Sequence, residues 1–163
     1  METLSLDSID LELLAALQQD ATPTNQQLAA LLGISPPTCL RRVRRLLDSG
    51  VIERRVALLS PATLGEALSA IVEITLDRQG AEHLEAFEQR AVNDAAVQQC
   101  WRVSPGPDFV LVVQAADMAA YQALVQRLFT QDANVRNVKA YFSIKRAKFD
   151  PRIVLPTVLP NAA

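Results

Sequence analysis

Apolar and polar positions follow two different periods along this chain. From Leu6 to Gln19 the apolar residues Ile9, Leu13, Leu14 and Leu17 recur at helical spacing, which predicts a helix starting near Asp7 or Ser8. Thr24, with Gln27 three positions on, has the form of a capping box for a short second helix through Leu28, Leu31 and Leu32, stopped at Gly33. Ser35 followed by Pro36 opens a third helix that runs to Gly50, since proline at the first helical position gives up an N–H that would have no partner there. Behind it VIERRVALL reads as a strand, and SPATLG is the most turn-like stretch available for a domain boundary.

The period then shortens. Between Glu66 and Asp77, Leu68, Ala70, Val72, Ile74 and Leu76 fall on one face, as a half-buried strand requires. A helix through Leu84, Phe87 and Ala91 follows, then strands at about Val97 to Ser104 and Asp108 to Ala115 around an SPGP turn. A second helix carries Met118, Tyr121, Leu124, Val125, Leu128 and Phe129. The last strand alternates Val138, Ala140, Phe142 and Ile144 with polar neighbours. The order βαββαβ is a ferredoxin-like plan in which both helices cover one face of an antiparallel sheet. FVLVV, residues 109–113, is apolar on both faces, so something must cover the other one. A second copy of the sheet is the simplest candidate; the alternative is a screen formed by the linker or by the proline-bearing closing segment DPRIVLPTVLPNAA, which reads as an extended tail.

Composition narrows the chemistry. Of 163 residues, 50% are hydrophobic and 21% charged, the balance of a globular chain with a core. No apolar run reaches the ~20 residues of a membrane span, and METLSLDSIDLELL lacks the pattern of a secretory leader, so a cytoplasmic protein without membrane contact is expected. Cys39 and Cys100 form no CxxC, which leaves no disulfide framework or zinc module in view. The one histidine, His83, sits in a segment that reads as the outer face of an amphipathic helix, and five glycines assemble no GxGxxG or GxxxxGK[ST] loop. No enzyme, metal or cofactor is expected.

Net charge is only −2, but residues 1–40 hold five acids and no lysine or arginine, after which Arg41, Arg42, Arg44, Arg45, Arg54 and Arg55 arrive within fifteen residues. At 100° per residue, Cys39, Leu40, Val43, Leu46 and Leu47 fill an arc of roughly 120° opposite Arg41, and all four helical arginines point into the other hemisphere. Two helices joined by a tight glycine-containing turn, the second presenting arginine to solvent, form the helix-turn-helix plan for a DNA major groove.

The segment LDSIDLELLAALQQDATPTNQQLAALLGISPPTCLRRVRRLLDSGVI, with the later LLSPATLG, VEITL and QQCWRVSPGPDFVL blocks, resembles the Lrp/AsnC, or feast/famine, transcriptional regulators from about Leu6 to Lys148. The resemblance implies a winged helix-turn-helix domain, a hinge strand and a C-terminal RAM/ACT-like effector domain that dimerises through its sheet. Carried over residue by residue, it places Ser35, Thr38, Arg41, Arg42 and Arg45 at DNA-facing positions. Cys39 matches the family cysteine and reads as packing. Arg54 and Arg55 fit either a phosphate-touching wing or a salt-bridged hinge.

The family's effector loop, which is thought to receive a small amino acid, reads V-S/T-G-x-x-D-Y/F. Here Val103, Ser104, Asp108 and Phe109 match it, while Pro105 replaces the glycine and Gly106 is shifted by one. Ser104, Gly106, Asp108 and Phe109 are the candidate effector residues, with Trp101 either lining the pocket or packed in the core. Asp108 can take a ligand ammonium or tie down the turn; SPGPD can also be a rigid hairpin and nothing more.

The expectation is therefore an α+β chain with a winged helix-turn-helix over 1–59, a βαββαβ effector and dimerisation domain over 60–149 and an extended tail over 150–163. It is a sequence-specific, homo-oligomeric regulator (dimer, tetramer or octamer) binding double-stranded operator DNA and an amino-acid-like effector. An effector-sensing module without DNA binding is the alternative, and a small ferredoxin-like enzyme is a third reading that lacks an acid/base constellation.

Overall fold

The computed structural model describes residues 5–65 and 67–156. They form two compact units, one made of the chain up to Leu58 together with the segment from Phe149 onward, the other of Leu59–Lys148.

The first unit opens with α1 (Ser8–Gln19), α2 (Asn25–Leu31) and α3 (Pro36–Asp48), each started by a side-chain cap. Asp7 and Asp10 form a reciprocal capping box on α1, Thr24 and Gln27 do the same on α2, and the Ser35 hydroxyl accepts the Thr38 N–H at the head of α3. Gly33, with φ 63°, makes the left-handed turn that ends α2, a conformation that a side chain would strain. Leu13, Leu14, Leu28, Ala29, Cys39, Val43 and Leu46 make the core. Leu31, expected on the apolar stripe of α2, is 70% exposed, and Ala29 takes the buried place instead.

The strand expected over residues 51–59 does not form: the segment begins with a bend at Val51 and Ile52 and has no regular secondary structure after it, and among the described residues no strand pairs with it. A strand-like segment becomes a strand only with a second backbone to pair with, and Val56, Leu58 and Leu59 stay exposed. SPATLG contains a single helical turn, α4 (Pro61–Leu64), begun by proline at the first position. The described part of the tail, up to Pro156, forms neither helix nor strand, and it folds back on the first unit. Ile153 is clasped by the Gln18 side chain, which accepts its N–H at 2.8 Å and donates to its carbonyl at 3.3 Å, and Leu155 packs against the helical core. Its last residues, and Glu66, expected to open the next strand, lie outside the described residues.

The second unit is a four-stranded antiparallel sheet in the order β2-β3-β1-β4, built from β1 (Leu68–Leu76), β2 (Val97–Arg102), β3 (Phe109–Ala115) and β4 (Val135–Phe142). Helices α5 (Ala81–Val92) and α6 (Met118–Val125), the latter running into a π-helical stretch at Gln126–Thr130, pack on one face. That face carries Val72 opposite both Leu111 and Ala140, and its core includes Phe87 and Phe109 with ring centroids 4.8 Å apart. Strand β4 begins at Val135 and ends at Phe142, so Ile144, expected in the alternation, lies beyond the ladder and is fully exposed.

The facing of FVLVV is now decided. Phe109, Leu111 and Val113 are buried, while Val110 and Val112 look to the other side and are half-buried. Around them Ile71, Trp101 and Tyr141 are 48%, 58% and 52% exposed, an apolar stripe across β2, β3, β1 and β4.

Candidate nucleic-acid interface and effector loop

The third helix is amphipathic by construction. Cys39, Val43 and Leu46, spaced four and three apart, face the core, and the opposite surface carries Pro37, Arg41, Arg44 and Asp48 in one row. Arg41 and Arg44 are exposed and enter no ion pair among the described residues. At the helix start, the Ser35 and Thr38 hydroxyls lie 2.8 Å apart; Pro36 and Pro37 carry no N–H, and the Thr38 and Cys39 N–H groups are taken by Ser35, so any polar contact there falls to the hydroxyls. A row of exposed guanidiniums beside them suits phosphate oxygens and base edges alike.

Arg42 and Arg45 are placed differently. Arg42 Nη1 donates to Asp7 Oδ2 at 2.7 Å and to Asp10 Oδ1 at 2.8 Å, and Arg45 Nη2 donates to Asp10 Oδ2. Asp10 is fully buried, and the Arg42 side chain is 19% exposed against 41% for Arg45. Burial alone would push the Asp10 carboxyl up. The Asp7 backbone N–H, together with the two guanidiniums, outweighs that and leaves it below the usual carboxylate range. The same bonds hold the Arg42 guanidinium more firmly protonated than usual. On the helical wheel Arg42 stands about 40° from Leu46 at one edge of the apolar arc, but Arg44 stands equally close to Leu40 at the other, so the angle did not single out Arg42. The available signal was an acid, Asp10, three and four positions before the buried Leu13 and Leu14.

Cys39 is buried, its thiol pushed up by desolvation, which makes it packing and not a nucleophile. Arg54 and Arg55 are exposed, and among the described residues they enter no ion pair of the kind a salt-bridged hinge would need.

The effector loop joins β2 to β3. Ser104 and Gly106 are exposed at its tip, and Gly106 has φ 126°, a conformation only glycine adopts comfortably. Asp108 Oδ2 accepts the Leu76 N–H at 2.7 Å, and the Asp108 N–H bonds the Ile74 carbonyl at 2.8 Å, tying the loop to the end of β1. The Phe109 ring lies in the core, so a ligand at the loop can meet only its backbone. Trp101 is exposed on the open face, its indole N–H donating to Gln99 Oε1. The loop thus brings Ser104 and Gly106 together at the surface and sends Asp108 and Phe109 inward.

Residues 6–53 match a winged helix-turn-helix DNA-binding family, and residues 69–153 match the Lrp/AsnC ligand binding domain. The chain is 39% identical over 145 residues to the leucine-responsive regulatory protein of Rhizobium meliloti, covering 89% of this chain and 93% of that protein. Among solved structures, an AsnC family transcriptional regulator from Agrobacterium tumefaciens superposes with a TM-score of 0.82 at 30% identity, covering 91% of this chain and 97% of that one. A transcriptional regulator from Neisseria meningitidis, solved as its L-Met complex, gives 0.82 at 27% identity, covering 92% and 97%.

Proposed function

The chain belongs to the Lrp/AsnC family of DNA-binding transcriptional regulators, and from that premise we propose which of its residues meet DNA and where it answers to an effector. Arg41 and Arg44 are the principal DNA contacts, with Ser35 and Thr38 seating a phosphate at the head of α3. Arg45 contributes the part of its guanidinium that Asp10 leaves free, and Arg42 contributes through its hold on α1 and not by reaching a base. The observation that carries this is the pair of exposed guanidiniums, without an ion-pair partner among the described residues, on the face of α3 opposite Cys39, Val43 and Leu46. The alternative of an effector module that has lost DNA binding leaves that face without a purpose.

The second unit binds a small amino acid at the β2–β3 loop, where Ser104 and Gly106 are exposed and Asp108 holds the loop in shape. The Neisseria relative, found with L-Met, supports that ligand class. The protein acts as a homodimer, two copies meeting through the stripe of Ile71, Val110, Val112, Trp101 and Tyr141, and it works in the cytoplasm with its DNA.

Fluorescence anisotropy on an operator duplex, selected from a random-sequence pool with the wild-type protein, tests the DNA assignment. Arg41→Ala and Arg44→Ala should each cost about 1–3 kcal/mol of binding where they read a base. Unchanged affinity in both folded variants refutes it. Titration calorimetry with the proteinogenic amino acids tests the effector, and an amino acid that shifts operator affinity must bind the DNA complex with affinity altered by the same factor.

A further inference from the structure

Of the four arginines on α3, two are already paired inside the protein. Asp7 and Asp10 together face Arg42 and Arg45, two negative charges against two positive, so the cluster is close to neutral. Asp7 is half exposed at the end of α1, and Asp10 is sealed beneath it. Among the described residues, the cations on the helix that enter no ion pair are Arg41 and Arg44, with the carboxylate of Asp48 in the same row.

Stability alone is a poor account of this arrangement. Arg42 Nε is buried with no hydrogen-bond partner, and an orphaned buried donor costs stability. A buried ion pair is in any case often matched or bettered by apolar side chains of the same volume. What apolar side chains could not do is hold two guanidiniums at fixed positions beside the DNA-facing row while cancelling their charge. Each cation able to reach a phosphate strengthens binding to every sequence equally, which lowers discrimination.

We propose that Asp7 and Asp10 are positioning residues for DNA recognition, withholding Arg42 and orienting Arg45 so that α3 meets DNA with a limited number of free charges and little affinity for arbitrary sequence. This rests on reading α3 as the DNA-contacting helix. Its consequence runs against ordinary intuition about buried salt bridges: removing an acid from the cluster tightens sequence-independent binding.

Asp7→Asn is the cleanest variant, because asparagine caps a helix as well as aspartate does while the charge is removed. Asp10→Asn keeps the shape of the buried partner. On a poly(dI-dC) duplex both variants should bind roughly three- to tenfold more tightly than wild type at low salt. The slope of log K against log salt should steepen by about 0.9 for each arginine released. Affinity for the selected operator should rise less, so the operator-to-arbitrary ratio falls. Adding Arg42→Gln to Asp7→Asn should return slope and ratio toward wild type, a coupling that a structural role does not produce.

Variants that are folded by circular dichroism but match wild type in slope and ratio overturn the proposal and leave the cluster a structural clasp. If Asp10→Asn does not fold, Asp7→Asn decides alone. Arg41→Ala and Arg44→Ala, run in parallel, separate the two readings. If they weaken operator binding while the acid variants do nothing, only the positioning role fails. If they too have no effect, the assignment of α3 falls and this proposal with it.

Discussion

The first unit places a carboxylate at the centre of its packing and ties two arginines to it, whereas the second keeps its interior apolar and sets its ion pairs at the rim. Asp10 is as buried as Leu13 beside it. In the second unit the buried positions are Val72, Ile74, Phe87, Leu111 and their neighbours, and Arg127–Asp94, Arg90–Asp132 and Arg102–Glu88 lie outside that core. On the function proposed above, the difference follows from what each surface does. A helix that presents arginines to a polyanion needs their positions governed by charge, and an acid can govern them only from the helix it packs against. A sheet that keeps one face closed and offers the other to a second copy, as proposed, needs shape and apolar area.

The contrast is broken most severely by putting a charge where the second unit has none. Leu111→Asp buries an unpaired carboxylate at a fully enclosed position and should cost more than about 4 kcal/mol, unfolding that unit. Val112→Asp, one residue on and facing the open side, should fold normally but lose self-association in sedimentation. A folded, still-dimeric Val112→Asp protein refutes the sheet-to-sheet interface.

Taking the charge out of the first unit comes next. Asp10→Ala leaves Arg42 and Arg45 without their shared partner and should destabilise the helical unit by about 3–5 kcal/mol. Hydrogen exchange should speed up in α1 and α3 and stay unchanged in the sheet. Acid should act on the same bond. The Asp10 carboxyl is held below its usual value of 3.8, so its contribution is fully present above about pH 4 and is lost as pH falls through the depressed value. The acid unfolding of the helical unit should lose that pH dependence in Asp10→Ala. An unchanged acid profile would mean that the cluster is not coupled to folding.

The smallest effect sharpens the comparison from the other side. Arg127 bonds Asp94 through two nitrogens, at 2.6 and 2.8 Å, and depresses that carboxyl as well. Its own side chain is nearly half exposed, so Arg127→Ala should cost only about 0.2–1 kcal/mol by thermal denaturation. A loss comparable to that of Asp10→Ala would show that burial does not separate the two clusters.

Local chemistry sufficed for much of this architecture. The caps at Asp7, Thr24 and Ser35, the stop at Gly33 and the alternation from Leu68 to Leu76 act within a few residues of one another, so the sequence by itself determined the helix-turn-helix and the βαββαβ order. It also determined that α3 has one apolar and one arginine-bearing side, because 100° per residue leaves no other arrangement. Only tertiary structure could decide which arginines on that side are free. The partners Asp7 and Asp10 lie more than thirty positions away, and their effect depends on α1 packing against α3. The same holds for the strand expected over residues 51–59, which found no second backbone to pair with among the described residues. It holds too for Asp108, whose carboxylate meets the Leu76 N–H only because the loop packs against the end of β1. Propensity and periodicity are properties of a segment, whereas hydrogen-bond partnership and burial belong to pairs of segments, and those form only when the chain has folded.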